Sequence, residues 1–285
     1  MARREFELVN KIVREQNRFR KTTESDIITA YPIAILAKQE QKSRGLDTRT
    51  KQESDAQLRS SSPSKGIAIS YLSQESEDAR KAAEQIVLNE CDVNLVEVDL
   101  QKEEDCYKLI ASHMARFRCL DILVNNASEQ IFADKIEDLD LNNVLGVFES
   151  NILQMIAVSK FAVPLMERGA EIINTTSVVA CSGNPRLRDF ASTKGAIVSF
   201  TRSLARQLPP RGIRVNMVVP GPVMTALQAS SRSSKKMVNF DLGTPRTSCA
   251  TCRIAHVFVF LASPDANCMT GHYIHVNNGE HLGGS

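Results

Sequence analysis

From residue 66 onward, short runs of apolar residues alternate with longer stretches that mix apolar and polar residues at a helical period. The first two apolar runs, residues 67–72 and 93–98, are each followed by such a stretch, at about 76–89 and 103–117. Strands that alternate with helices are typical of a parallel sheet covered by helices on both faces. The pattern therefore predicts an α/β, doubly wound, Rossmann-like sheet, with further strands at residues 122–124, 172–173, 215–219 and 273–276.

Residues 1–65 do not continue this pattern. Residues 43–65 are rich in Ser, Arg, Lys, Gln and Asp and hold few large apolar side chains, which is typical of a flexible linker. A chain of 285 residues with 42% hydrophobic residues can bury one sizeable core. We therefore expect an N-terminal extension at 1–65, partly helical or disordered, and one globular domain at 66–285.

The extension is basic, with 14 Lys and Arg residues against 9 Asp and Glu residues. Acidic residues lie between the arginines and no array of aromatic side chains accompanies them, which favours a solvated arm over a nucleic-acid or membrane surface. An amphipathic start carrying Phe6, Val9, Ile12 and Val13 leaves a transit peptide open as an alternative. Scattered cysteines, seven in all, and the lack of an apolar run of about 18 residues indicate a cytoplasmic protein with reduced thiols and no membrane partner.

Polar residues gather where the predicted strands end, and such residues meet a ligand at the carboxyl edge of a parallel sheet. Residues 121–127 end in two amides, residues 172–177 end in Ser177, and Asn151 lies in a helical stretch between them. Farther on, residues 190–196 open a helix, and residues 220–225 follow a strand.

In order and spacing, these segments resemble the short-chain dehydrogenase/reductase family over roughly residues 67–280. The resemblance is strongest to a branch with an Ile-Ser-Tyr-Leu strand, here residues 69–72, and with Glu-Gln after Asn-Asn-Ala, here Glu129 and Gln130. It implies a doubly wound sheet that binds NAD or NADP, and hydride transfer between nicotinamide and a small-molecule carbonyl or alcohol. NADP is slightly favoured, because no acidic residue ends the strand at 67–72.

The resemblance also implies a role for each matched residue. Ser177 would hydrogen-bond the substrate oxygen, and Lys194 would hold the nicotinamide ribose and lower the pKa of a neighbouring tyrosine. Asn151 would anchor a water relay to that lysine. The cofactor-binding residues would be Asp99 at the adenine, Asn126 at the adenosine ribose, Lys194, and Val223 with Thr225 at the carboxamide.

The tyrosine slot itself holds Phe190, which has no hydroxyl and can neither donate nor accept a proton. A positioned acid or base contributes roughly 10²- to 10⁴-fold to a rate. We therefore expect Phe190 to pack the pocket wall and the hydride-transfer chemistry to be impaired, with Ser177 left as a weaker donor.

The chain also lacks the family's first strand, its glycine-rich turn and its first helix. Gly66 stands alone before a strand, where a glycine usually makes a turn. In the family's order the missing strand is central, and an empty slot would expose backbone donors and acceptors on two strands. Residues 27–36 could fill it, or residues 67–72 could shift into it. We favour the shift, or a disordered mixture, because Pro32 interrupts the first candidate.

Three carboxylates lie between residues 73 and 78, and their expected role depends on which segment fills the central slot. After a shift they would replace the phosphate loop and repel pyrophosphate, whereas in the family register they would cap the next helix. An altered splice that removed the first strand would leave the same pattern.

The sequence holds residues for two further kinds of site. Cys249, Cys252, His256 and Cys268 could form a zinc set, but ordinary thiols are favoured, so no metal is expected. The helices at residues 143–166 and 192–208 match the family's oligomer interface. They imply a homo-oligomer, or a mixed oligomer with an intact paralogue in which this chain is a non-catalytic scaffold or regulatory subunit.

Overall fold

A computed structural model describes the backbone of residues 34–38, residues 66–87, 91–223 and 251–277, and Gly279. Seven strands form one sheet in the order β3-β2-β1-β4-β5-β6-β7. The strands are β1 Ala34–Lys38, β2 Gly66–Tyr71, β3 Asp92–Glu97, β4 Leu120–Asn125, β5 Met166–Thr175, β6 Arg214–Pro220 and β7 Tyr273–Val276. The expected α/β sheet is thereby confirmed, and β2 to β7 include every strand that the apolar runs predicted.

Helices connect these strands and lie against the sheet. They are α1 Ser76–Val87, α2 Glu103–Phe117, α3 Leu141–Phe148, α4 Gln154–Ala162, α5 Val179–Ser182, α6 Arg188–Gln207 and α7 Thr251–Ala262. A π-helical segment, Glu149–Leu153, joins α3 to α4. Because α6 begins at Arg188, four residues earlier than the interface helix expected at 192–208, it includes both Phe190 and Lys194.

β1 occupies the central slot and runs antiparallel to both neighbours. It pairs Ile35 with Ile69 of β2 and with Val124 of β4, whereas β2–β3, β4–β5, β5–β6 and β6–β7 are parallel. The favoured shift of residues 67–72 into this slot is therefore wrong. Pro32 does not interrupt the strand, because the paired residues begin at Ala34, two positions after it. A segment that enters the sheet in the reverse direction can satisfy the exposed ladders as well as a parallel strand can.

Gly66 begins β2 and packs against α2. A Cβ built on Gly66 would lie 2.1 Å from Cε1 of Phe117, whose side chain is fully buried. The expectation that this glycine makes a turn is wrong, since the residue allows close approach of a strand to an aromatic ring.

The helical stretch Leu141–Leu165 is long and apolar enough to cross a membrane by length and composition alone. In the fold it contacts α2 and α6, and it leaves Leu141, Leu145 and Leu153 exposed. A search for uninterrupted apolar runs missed this stretch, because Glu149 and Lys160 interrupt it. Length and composition by themselves are weak evidence for a span.

Candidate functional site

The site lies at the carboxyl edge of β4, β5 and β6, where α6 begins. Ser177 follows the end of β5 by two residues and is half-buried. Phe190 and Lys194 are four residues apart on α6 and therefore share one face of that helix. Asn151 lies in the π-helical segment and is fully buried. The structure thus brings the four predicted catalytic residues to one edge of the sheet.

Lys194 is held from two directions inside the protein. Its Nζ donates a hydrogen bond to the carbonyl oxygen of Thr175 at 3.2 Å, and its own carbonyl accepts one from Oγ1 of Thr176 at 2.8 Å. The residue is 2% exposed. Burial lowers the pKa of Lys194 to about 7 from its ordinary 10.5, because an ammonium loses its hydration there.

Phe190 presents its ring to this amine. The Nζ atom of Lys194 lies 5.2 Å from the ring centroid, within the range of a cation–π contact. The ring is buried, with 5% exposed. A ring face can attract the protonated lysine, but it cannot exchange a proton with a substrate or hold a hydrogen bond to it.

Asn151 connects the loop after β4 to α6. Its Oδ1 accepts from the backbone N–H of Glu129 at 2.6 Å, and its Nδ2 donates to the carbonyl of Glu129 at 2.9 Å and to Oγ1 of Thr193 at 3.0 Å. Thr193 in turn donates to the carbonyl of Phe190 at 2.7 Å. π-Helical turns are frequent at functional sites, and here the turn directs the amide into the site. The partner Thr193 was not identified from the sequence, although it precedes Lys194 directly.

A second series of hydrogen bonds, between buried polar side chains, joins the strands and the helix that carry the site. Nδ2 of Asn125 donates to Oδ1 of Asn174 at 2.9 Å, and Nδ2 of Asn174 donates to Oγ1 of Thr201 at 2.9 Å. These bonds join β4, β5 and α6. Of the two adjacent amides that end β4, Asn125 is buried and structural, whereas Asn126 is exposed. Sequence analysis did not distinguish the buried amide from the exposed one. The alternation of side chains along β4 could have distinguished them, because neighbouring residues of a strand point to opposite faces.

Comparison with known proteins agrees with this geometry. Residues 64–281 match a family model described as Enoyl-(Acyl carrier protein) reductase. An uncharacterized oxidoreductase of Bacillus subtilis is 39% identical over 217 residues, which cover 76% of this chain and 75% of that protein. The chain belongs to the short-chain dehydrogenase/reductase family.

Other members of the short-chain dehydrogenase/reductase family are similar over the same region. The NADPH-dependent aldehyde reductase 1 of Arabidopsis thaliana chloroplasts is 36% identical over 222 residues, covering 75% of this chain and 76% of that protein. The crystal structure of a short-chain glucose/ribitol dehydrogenase from Brucella melitensis has a TM-score of 0.65 and 28% identity, covering 76% of this chain and 86% of that one. A blue fluorescent protein from a metagenomic library, solved with NADPH, has a TM-score of 0.68 and 25% identity, covering 74% and 86%.

The residues predicted to bind a family nucleotide lie apart from one another. Asp99 follows β3, is half-buried, and accepts a hydrogen bond from the backbone N–H of Gln101 at 3.2 Å. Asn126 follows β4, three strand positions away, which is roughly 14 Å at the usual strand spacing. Val223 is buried, and Thr225 lies outside the described residues. The cofactor-binding roles therefore stay predictions.

The nicotinamide half of the family's site fits the residues present, but the phosphate half does not. In the family, the glycine-rich turn follows the central strand at the edge of the sheet where Ser177 lies here. Here β1 is reversed, so its last residue, Lys38, pairs with Gly66 at the opposite edge. Among the described ranges, no glycine-rich turn follows the central strand at the Ser177 edge.

The acidic residues after β2 do not replace that turn. The backbone N–H of Leu72 donates to Oε2 of Glu75 at 2.9 Å, and Glu77 and Asp78 lie in the first turn of α1. Glu75 thus caps the 3₁₀ turn Ser73–Glu75, and the other two acids lie at the start of α1, as the family register predicts, so the alternative in which they replace the phosphate loop is wrong. Burial of Glu75 raises the pKa of its carboxyl above the ordinary range. Cys249 of the zinc set lies outside the described residues, so the absence of a metal also stays a prediction.

Proposed function

We propose that this chain is a short-chain dehydrogenase/reductase homologue that keeps the family's active-site pocket but is impaired in hydride transfer. The observation that carries the proposal is the ring of Phe190, which faces the Lys194 amine at 5.2 Å where the family places a phenol. Hydride transfer to a carbonyl needs a proton for the resulting oxygen. Loss of a positioned donor costs roughly 10²- to 10⁴-fold in rate.

The substrate class follows from the relatives rather than from a bound ligand. An NADPH-dependent aldehyde reductase and glucose and ribitol dehydrogenases are among the similar proteins, which supports a small carbonyl or alcohol as substrate and NADP as cofactor. The reversed β1 supports weak nucleotide binding, because the pyrophosphate would lack the backbone N–H groups of a glycine-rich turn. We propose a cytoplasmic location because the seven cysteines are scattered along the sequence, which favours reduced thiols.

Restoring the phenol tests the impairment. The variant Phe190→Tyr should raise the NADPH-dependent reduction of a small aldehyde by roughly 10²-fold. Phe161→Tyr is the matched control, since Phe161 packs edge-on against Tyr107 away from the site, and it should leave the rate unchanged. NADPH affinity is measured separately from the fluorescence of the reduced nicotinamide. If the wild-type protein already reduces aldehyde as fast as Phe190→Tyr does, the chain is not impaired.

Ser177 favours a second candidate, a slow NADPH-dependent reductase. Ser177 is half-buried, and the hydroxyl of Thr176 beside it donates a hydrogen bond to the backbone carbonyl of Lys194. Slow turnover that is lost in both Ser177→Ala and Lys194→Ala would support this candidate.

Exposed apolar residues favour a third candidate, a scaffold or regulatory subunit. Five large side chains on the stretch Leu141–Leu165 are more than one-third exposed: Leu141, Leu145, Leu153, Ile156 and Leu165. A second copy, or an intact paralogue, would cover them. Analytical ultracentrifugation of the wild-type protein and of Leu145→Asp should then show an oligomer that the variant disrupts, whereas a monomeric wild-type protein would contradict this candidate.

A further inference from the structure

We propose that the amine of Lys194 captures small aldehydes as a reversible imine, an activity that requires neither a nucleotide nor hydride transfer. The proposal rests on the environment of one atom, the Nζ of Lys194. Among the described residues, the only hydrogen-bond partner of this atom is the carbonyl oxygen of Thr175, and no carboxylate lies within ion-pair distance. A lysine amine that is desolvated in an apolar pocket is one of the recognised forms of an activated nucleophile.

Phe190 is what makes this environment differ from that of a tyrosine-bearing site. A phenol in the same slot would offer its oxygen to the lysine, and as a phenolate it would hold the amine in its protonated form. The ring of Phe190 offers only a weak attraction to the ammonium and none of consequence to the neutral amine. Burial lowers the pKa of Lys194 to about 7, so that about half of the molecules hold the neutral, nucleophilic amine at neutral pH.

The reaction balances without any oxidant or reductant. The nitrogen lone pair forms a C–N bond to the aldehyde carbon, and the π electrons of the carbonyl move to its oxygen, which takes up a proton. The resulting carbinolamine then loses that oxygen as water and a proton from nitrogen, which leaves the imine. Water reverses the sequence and releases the aldehyde.

The proposal assigns Ser177, two residues after β5 at the same edge of the sheet, to the carbonyl oxygen. Ser177 is half-buried and lies next to Thr176, whose hydroxyl donates to the backbone of Lys194 at 2.8 Å. A hydroxyl at this position can donate to the oxygen while charge develops there. Because Lys194 itself is 2% exposed, the proposal is confined to small aldehydes.

Reductive trapping tests the proposal on the full chain. The protein is incubated at pH 7 with propanal and sodium cyanoborohydride, which converts each imine into a stable propyl-lysine, and labelling is followed by peptide mass spectrometry. A lysine of ordinary pKa, about 10.4, is neutral in roughly one molecule in 2,500 at this pH. Lys194 should therefore be labelled at least ~10-fold faster than exposed Lys160, after allowance for restricted access and lower intrinsic nucleophilicity.

Three controls make the outcome decisive. Unfolding the protein in urea should abolish the difference between the two lysines, because the difference depends on the folded environment. Lys160→Arg should leave the labelling of Lys194 unchanged. Phe190→Tyr should slow the labelling of Lys194, because the added phenol bonds the amine. Labelling of Lys194 at or below the rate of Lys160, or selectivity that persists in urea, would overturn the proposal. None of these readouts includes NADPH, so failure here is separate from failure of the proposed impairment.

Discussion

The two halves of the sheet differ in how far they keep the architecture of a nucleotide-dependent reductase. From β4 to β7 the strands are parallel, and buried polar side chains join them to α6 through Asn125, Asn174 and Thr201. On the other side, β2 and β3 keep their family positions, but the central β1 is reversed between β2 and β4. The half that would carry the chemistry is ordered as in the family, whereas the half that would carry the phosphates is rebuilt.

This difference shows that a sheet and a binding site have different requirements. A ladder needs a strand with free N–H and C=O groups, and an antiparallel strand supplies them. A pyrophosphate site needs a turn that leaves the strand at one particular edge, and a reversed strand cannot supply it there. Reversal of β1 therefore preserves the sheet, and it supports the proposal that this chain binds the nucleotide weakly.

The largest expected effect comes from breaking β1. In Leu36→Pro the strand loses a backbone donor in the middle of the sheet, so the free energy of unfolding should fall by at least ~3 kcal/mol. Leu36→Ile keeps the backbone donors and should change it little. The chain has no tryptophan, so urea unfolding is followed by circular dichroism. Wild-type stability in Leu36→Pro would show that β1 does not hold the two halves together.

The positions of the strands could be predicted from the sequence more fully than the completion of the sheet. The apolar runs of β2 to β7 carry a clear signal, and those of β2, β4, β5 and β6 are mostly buried. Residues 34–38 form a run of similar character, but nothing local to a five-residue segment specifies its direction or its partners. Likewise, the family resemblance, carried by the order and spacing of several segments, pointed to Ser177, Phe190 and Lys194. Two contacts could not be predicted: the hydrogen bond from Asn151 to Thr193 and the one from Lys194 to the carbonyl of Thr175. Both form only because α6, the π-helical segment and β5 pack together, and no local pattern specifies that packing.

Replacing Lys194, which removes the buried amine, should have the next largest effect on the free energy of unfolding. The folded-state pKa of Lys194, about 7, lies below its ordinary 10.5, so between these values the unfolded chain binds more protons and stability rises with pH. Below pH 7 the buried lysine costs the most. Lys194→Met should therefore raise the free energy of unfolding at pH 6, by on the order of 3 kcal/mol, and the gain should shrink as the pH approaches 10. The exposed control, Lys160→Met, should show no such trend. A difference that is constant from pH 6 to 10 would mean that Lys194 keeps an ordinary pKa.

The smallest expected effect on the free energy of unfolding comes from a substitution in β2, and it tests whether the two halves of the sheet unfold together. Gly66→Ala places a Cβ 2.1 Å from the buried ring of Phe117, and overpacking of this kind should lower the free energy of unfolding by about 1–3 kcal/mol. Gly146→Ala is the matched control, because its Cβ would meet nothing within 4 Å on α3, and it should stabilise the protein by about 0.5–1 kcal/mol. Hydrogen exchange then locates the loss. Faster exchange confined to β2 and β3 would show that the two halves unfold separately, whereas equal acceleration in β5 and β6 would show that the reversed β1 couples them into one cooperative unit.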